Sequence, residues 1–339
     1  MSAPLRVGTI EIGDGRPTVV IAEAACEHKG DLGMAKRMVE LAKESGADIV
    51  KFQLHLPKEE MLPGTVRFWA GSMDEVLEKV NLKPEAHADL MAHCRAVGIQ
   101  YLCTPFCAKA ADLLEDMGAE AFKTGSGEMT NLPMLRHMAR KKKPIIVSTG
   151  MATLDEVGRT VEALKEEKAE FMLTNCTSAY PPSDGEVNLG LIRRMREMYG
   201  VLVGHSDHTP DTWAPLGAVA LGASVIEKHF TADHAYEGPD HFISLDPPAF
   251  RKMVDAIRKL EASLGAEKRV WPGEEAVRRW AHHSVVSLLA IPAGTTVTPD
   301  MVDVKRPGWG VPARHLEEFY GKIAKRDIAA NALLAWEDF

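Results

Sequence analysis

The chain has 339 residues, 45% hydrophobic and 26% charged, a balance that excludes a disordered or fibrous protein and allows a large buried core. A formal net charge of −8 argues against a nucleic-acid surface. Neither a signal-peptide core at residues 1–6 nor a membrane-length apolar run is found in the sequence, so a cytoplasmic enzyme with no membrane partner is expected. The five cysteines, an odd number without an export signal, are expected to be reduced. Cys103 and Cys107 have loosely metal-like spacing but lack a second pair.

Hydrophobic period divides most of the chain into repeats of one unit. Strands are expected at residues 18–24, 48–53, 99–103, 121–123, 144–148, 171–175, 201–203 and 223–227. Helices are expected at 31–45, 84–97, 108–117, 133–140, 154–166, 189–198, 213–221 and 248–263, with a long excursion over 54–82. Thr153 with Glu156 three residues on makes a capping box. Gly46, Gly98, Gly118, Gly200 and Gly222 each follow a helix where a left-handed cap belongs. Eight alternating units predict a parallel sheet closed into a (β/α)8 TIM barrel over residues 1–265. Residues 6–12 are expected to form a hairpin under its floor. Residues 266–283 read as a linker with some helix. Residues 284–339 read as a small β-rich domain with internal pseudo-symmetry, because the run Ile291 to Val302 is echoed by Ile328 to Phe339.

Barrel enzymes work at the C-terminal ends of their strands. Here those ends carry dense polar chemistry, above all Gly204-His205-Ser206-Asp207-His208-Thr209 and Glu227-Lys228-His229. Lys123-Thr124-Gly125-Ser126-Gly127-Glu128 offers an ammonium, hydroxyls and open backbone N–H groups, which with Lys51 suits a phosphate or carboxylate. The bland alternative is that each lysine pairs with a glutamate as scaffold. A lone histidine is usually a core residue. His208 and His229, on neighbouring strand ends, read instead as ligands of one exchangeable divalent metal, Mn²⁺ or Mg²⁺, with positions left open for water and substrate. Strand alternation points His205 away from that pair and makes Asp207 a supporting group. Glu23 and Glu128 are candidate acid–base groups, or else structural partners of Lys51 and Lys123.

With these residues in hand, the chain resembles the N-acetylneuraminate (sialic acid) synthase family. The matching motifs run in order: Ala22-Glu23 through His28 and Gly30, Lys51-Phe52-Gln53, Thr104-Pro105-Phe106, Lys123 through Glu128, Ser148-Thr149-Gly150-Met151, Cys176-Thr177 with Tyr180-Pro181, Ser206 through Thr209, Glu227 with His229-Phe230-Thr231, and Gly238-Pro239-Asp240-His241. The tail, with Lys305-Arg306-Pro307-Gly308 and Gly310, resembles the antifreeze-like SAF domain. The resemblance implies metal-dependent condensation of phosphoenolpyruvate with an N-acyl hexosamine to a nine-carbon 2-keto acid and phosphate. It implies His208 and His229 as metal ligands. Lys51, Thr104, Lys123, Ser126, Ser148 and Ser206 would bind phosphoenolpyruvate, and Gln53, Glu128, Tyr180, Asp240 and Arg306 the sugar. It also implies a domain-swapped homodimer in which Arg306 acts in trans. Three departures, at Glu27, Ser178 and His282-His283-Ser284, leave the sugar open between N-acetylmannosamine and a deoxy-diacetamido hexose. Two other readings stand beside this one: a different barrel aldolase or 2-keto-3-deoxy acid synthase, and a carbohydrate-binding protein on an inactive barrel.

Overall fold

The computed structural model describes residues 3–68, 71–235, 238 and 240–339; Pro239 of the Gly238-to-His241 motif lies outside them. The chain divides into two compact units, Met1–Leu264 and Gly265–Phe339.

In the first unit the eight parallel strands are β1 (Val19–Ala25), β2 (Ile49–Leu54), β3 (Gln100–Pro105), β4 (Phe122–Lys123), β5 (Ile145–Ser148), β6 (Phe171–Cys176), β7 (Val203–Asp207) and β8 (Val225–His229). The ladder runs β3-β2-β1-β8-β7-β6-β5-β4, and β3 and β4 come alongside each other to bring the sheet nearly to closure. A helix follows each strand: α1 (Leu32–Glu44), α2 (Pro84–Val97), α3 (Ala108–Asp116), α4 (Leu132–Arg140), α5 (Leu154–Glu166), α6 (Gly190–Tyr199), α7 (Trp213–Ala220) and α8 (Pro247–Ser263). Local sequence sets their ends. Asp31 caps α1 by accepting the Met34 N–H, and Thr153 with Glu156 forms the expected box on α5. Gly98 and Gly200 close α2 and α6 at φ +77° and +68°, a conformation that costs glycine little.

Side chains alternate between the two faces of each strand. Val20, Ala22, Val50, Phe52 and Tyr101 face the helices. The other parity packs Val19, Ile21, Ile49, Leu102, Ala121, Ile146, Met172, Leu202 and Val225 inside the barrel, over Leu5, Val7 and Ile12 of the floor hairpin Leu5–Val7/Ile10–Ile12. Full burial of each such large aliphatic contributes about 1.5–3 kcal/mol. One step of the same parity further up, the interior turns polar at Glu23, Lys51, Thr104, Lys123, Ser148, Ser206 and Glu227, all buried. The floor and the site are thus two layers of one pattern.

Most boundaries agree with the sequence reading to within two residues, and the ends of two strands differ in an instructive way. Strand 7 does not stop at residue 203 but runs to Asp207, and strand 8 does not stop at 227 but runs to His229. Their polar residues sit in fully buried strand, where hydropathy marks a loop. The cause lies outside the barrel: Lys228 donates to Asp207 at 2.5 Å and to the Thr209 carbonyl, and His205 Nε2 stands 3.3 Å from Asp207. Buried charge survives there because it is paired.

In the second unit, β9 (Ser284–Ser287) pairs antiparallel with β10 (Val302–Lys305). Val285, Ile291, Val297, Val302, Phe319, Ile328 and Leu334 form its core. The two echoing segments bridge each other at Ile291 and Ile328 and end in matching 3-10 turns, Pro299–Met301 and Trp336–Asp338. The residues ahead of β9 hold a short helix, Glu275–Ala281.

Candidate active site

Four charged side chains converge inside the barrel from strands that are not all neighbours. Glu23 of β1 pairs with Lys51 of β2 at 2.8 Å. Glu227 of β8 lies 3.7 Å from Lys51 and 3.6 Å from Lys123 of β4. Since β8 and β4 stand four places apart in the ladder, this contact spans the lumen. All four are buried. Lys51 also donates to Thr104 at 3.1 Å, and Ser206 donates to Glu227 at 2.9 Å. Both lysines therefore do have carboxylate partners. Lys123 nevertheless makes a single hydrogen bond among the described residues, to the Thr124 carbonyl, which leaves donor capacity directed into the lumen.

Electrostatics sorts the four. Burial opposes the Lys51 ammonium, but Glu227 and Glu23 outweigh it and hold its pKa above the ordinary lysine value. Burial lowers that of Lys123, with Glu227 only partly offsetting it. Burial also works against the Glu227 carboxylate, yet Lys123, Lys51 and the Ser206 hydroxyl keep its pKa low. Glu23 goes the other way: burial, reinforced by Glu227, raises it despite Lys51. Glu227 is thus the standing negative charge and Glu23 the group suited to carry a proton.

Hydroxyls line the next arc. Ser126 and Ser148 lie 3.0 Å apart, and Ser126 donates to the Cys176 sulfur at 3.6 Å. A Cβ on Gly150 would meet the Ser178 and Ser126 hydroxyl oxygens at 2.3 and 2.5 Å, so glycine is what admits both. Burial would raise the Cys176 thiol, but contact with His208 and these serines brings it down to about 6.

The two imidazoles meet at the rim. The rings of His208 and His229 lie 5.3 Å apart. His208 Nδ1 donates to the Thr177 carbonyl at 2.7 Å, which leaves Nε2 to meet Cys176; burial works against the charged ring, but Cys176 and the Thr177 carbonyl raise its pKa. His229 Nδ1 is buried without a hydrogen-bond partner, 3.7 Å from Asp240. Burial, with His208 and the lysines, pushes its pKa well down, so the ring is neutral. A neutral imidazole with an orphaned buried nitrogen beside a second imidazole fits a divalent ion, which would replace the proton on His208 Nε2. Tyr180 stacks on His208 at 4.1 Å. His205, by contrast, turns to the helix side and meets the Asn175 carbonyl and Asp207.

Beside the rim opens a cavity of about 680 Å³ whose wall includes Gln53, Glu128, Tyr180 and Asp240. Burial, with some help from Glu60, raises the Glu128 carboxyl to about 7. A Cβ on Gly125 would meet its Oε2 at 2.4 Å. Arg306 belongs to the second unit, where it is exposed, donates to the Ala281 carbonyl at 3.2 Å and lies 5.3 Å over the Trp280 ring.

Sequence reasoning named Glu227 at its strand end but gave it no role, and left out His55 and Glu60. Glu227 carried a signal, since it stands two residues before His229 and shares its face. His55, two residues after Gln53, carried the same one. Glu60 carried none, because its place depends on how the excursion after β2 turns back.

Buried lysines, carboxylates and imidazoles at the C-terminal mouth of an eight-stranded parallel barrel define a barrel enzyme. The comparisons make this specific. The NeuB family matches residues 38–269 and the SAF domain matches residues 283–339, and the chain belongs to that sialic acid synthase family. It is 37% identical to an N,N'-diacetyllegionaminic acid synthase of Campylobacter jejuni, over 94% of this chain and 99% of that one. It is 32% identical to a pseudaminic acid synthase of Helicobacter pylori, over 95% and 98%. The crystal structure of an N-acetylneuraminic acid synthetase from Leptospira borgpetersenii superposes with a TM-score of 0.74 at 31% identity, over 82% of this chain and 95% of that one. The protein is an enzyme of the sialic acid synthase type.

Proposed function

We propose that this enzyme condenses phosphoenolpyruvate with the open-chain form of an N-acyl hexosamine, giving a nine-carbon 2-keto sugar acid and inorganic phosphate. The acceptor is N-acetylmannosamine or a deoxy-diacetamido hexose. The observation that carries this reading is the Lys51–Glu23–Glu227–Lys123 cluster lying in one lumen with the Ser126, Ser148 and Ser206 hydroxyls, beside His208 and His229.

The two ammonium groups and the hydroxyls face a substrate that bears a phosphate and a carboxylate. Carbon 3 of phosphoenolpyruvate forms the new bond to the sugar aldehyde carbon. Water adds at carbon 2, and phosphate leaves with the carbon–oxygen bond. Glu23, held by Lys51 and by the Gln53 amide at 2.8 Å, takes the proton of that water, a role suited to its raised pKa. Gln53, Glu128, Tyr180 and Asp240 line the space for the sugar. His208 through Nε2 and His229 through Nδ1 would hold Mn²⁺ or Mg²⁺, which when bound polarises the aldehyde as a Lewis acid.

The working form is a homodimer in which Arg306 of one subunit reaches the barrel mouth of the other. Its support is an exposed guanidinium whose contacts among the described residues are the Ala281 carbonyl and the Trp280 ring. The reaction takes place in the cytoplasm, where phosphoenolpyruvate is made. The test is phosphate release together with product mass, using phosphoenolpyruvate and a panel of N-acyl hexosamines. Release that needs both sugar and divalent metal is expected; release without sugar overturns the reading.

A further inference from the structure

The cavity beside the barrel mouth contains a carboxylate that the reaction above does not use. Glu60 follows the β2 end, and its side chain is only 5% exposed. Its Oε1 stands 3.0 Å from His55 Nδ1. The His55 ring stacks on Phe106 at 3.9 Å, and its Nε2 lies 3.1 Å from the Gln53 oxygen. The Gln53 amide nitrogen donates to Glu23, so the Gln53 oxygen must accept and His55 Nε2 is the donor; for His55 Nδ1 to donate to the Glu60 carboxylate as well, the ring carries both protons. One hydrogen-bonded chain therefore runs from Lys51 through Glu23, Gln53 and His55 to Glu60, and it fixes which oxygen of Glu60 is spent.

Glu60 Oε2 is buried and has no partner. Leaving a buried acceptor unpaired costs about 1–3 kcal/mol, more when it is charged. The part of the wall formed by Met61, Met73, Val76, Leu77 and Val80 is apolar and carries no side-chain donor. The other carboxyl group on this wall, Glu128, has its own unpartnered Oε2 and is not bonded to Glu60. No described residue donates to Glu60 Oε2, so this oxygen is open to a donor on whatever fills the cavity.

We propose that Glu60, aimed by His55, is a specificity-determining residue that accepts a hydrogen bond from an N–H or O–H of the acceptor sugar. The assignment rests on the condensation proposed above and adds to it. An acceptor that lacks this donor leaves Glu60 unpaired and is rejected, whereas the apolar wall tolerates a methyl group in place of a hydroxymethyl. The His55–Gln53–Glu23 chain links this recognition to the group that handles the water proton. Glu60 is a binding group, and His55 is a positioning residue.

The experiment compares steady-state phosphate release by the wild type, Glu60→Gln and Glu60→Ala. Phosphoenolpyruvate and the acceptor are varied separately. Glu60→Gln keeps the shape of the side chain and places an amide where the carboxylate was, so it should fold. Both variants are expected to raise the acceptor KM about tenfold or more while leaving the phosphoenolpyruvate KM unchanged. Acceptor analogues lacking one hydroxyl or amide hydrogen sharpen the result. One of them should lose about tenfold in kcat/KM with the wild type and nothing further with Glu60→Ala. A wild-type acceptor KM in both variants overturns the proposal, as does an equal rise in both KM values. Failure of the wild type to turn over any N-acyl hexosamine is a different result: it overturns the condensation itself, and the role of Glu60 with it.

Discussion

The Glu27 carboxylate accepts the backbone N–H of Asp240 at 2.7 Å, across 213 positions of sequence. Glu27 is buried, and a Cβ on Gly238 would lie 2.1 Å from its Oε2, so the segment near Asp240 closes over the carboxylate only because a glycine is there. This contact places Asp240 beside His229 on the cavity wall.

Glu27→Ala removes the acceptor and leaves a buried N–H unpaired. A loss of about 1–3 kcal/mol in urea unfolding is expected, with a smaller loss for Glu27→Gln, which keeps a carbonyl oxygen. Burial, above all, raises the Glu27 carboxyl from 4.5 to about 7. Its favourable contribution is therefore complete below about 4.5 and is lost as pH rises through about 7. Wild-type stability should decline across that window, and Glu27→Gln should flatten the decline.

Asp207 and Lys228 hold the ends of β7 and β8 from outside the barrel, both of them buried. Removing one partner strands a charge. Lys228→Met or Asp207→Leu alone should cost about 3–5 kcal/mol in urea unfolding, and the double variant should recover much of it. Simple addition of the two losses would mean that the pair does not act as a unit.

A divalent ion that binds between His208 and His229 binds the folded state alone and must stabilise it. At a hundredfold excess over its dissociation constant the gain is about 2.7 kcal/mol. Mn²⁺ should therefore raise the Tm of the wild type, leave that of His229→Ala unchanged, and restore phosphate release after chelation. An equal shift in His229→Ala would place the ion elsewhere.

If Arg306 serves a neighbouring subunit, two inactive variants can rescue each other. Arg306→Ala and His208→Ala, unfolded together and refolded as a mixture, should regain part of the wild-type phosphate release, because some dimers carry one intact site. Mixtures as inactive as their components would assign Arg306 to its own barrel or to no site.

The backbone period of each element was legible in the residues themselves. Short apolar runs alternating with helical period gave the strands, their polar C-terminal ends gave the site, and Gly98 and Gly200 marked where helices stop. The ordered motifs from Glu23 to Asp240 gave the family. These features follow from chain geometry over two to four residues, so they survive in a linear reading.

Partnership between distant residues was not legible. Nothing local says that Glu227 spans from Lys51 to Lys123, that Asp207 turns outward to Lys228, that Glu27 reaches Asp240, or that Glu60 returns to His55. Hydropathy even ended β7 and β8 early, because paired charge in a buried strand looks like a loop until the pair is seen. Sequence alone settled which strand ends carry the chemistry and that His205 and His208 take opposite faces, because a strand's pleat fixes which residues share a face. Which of them meet was decided only when the sheet curved round and the loops returned, since those distances depend on the whole ring of strands at once.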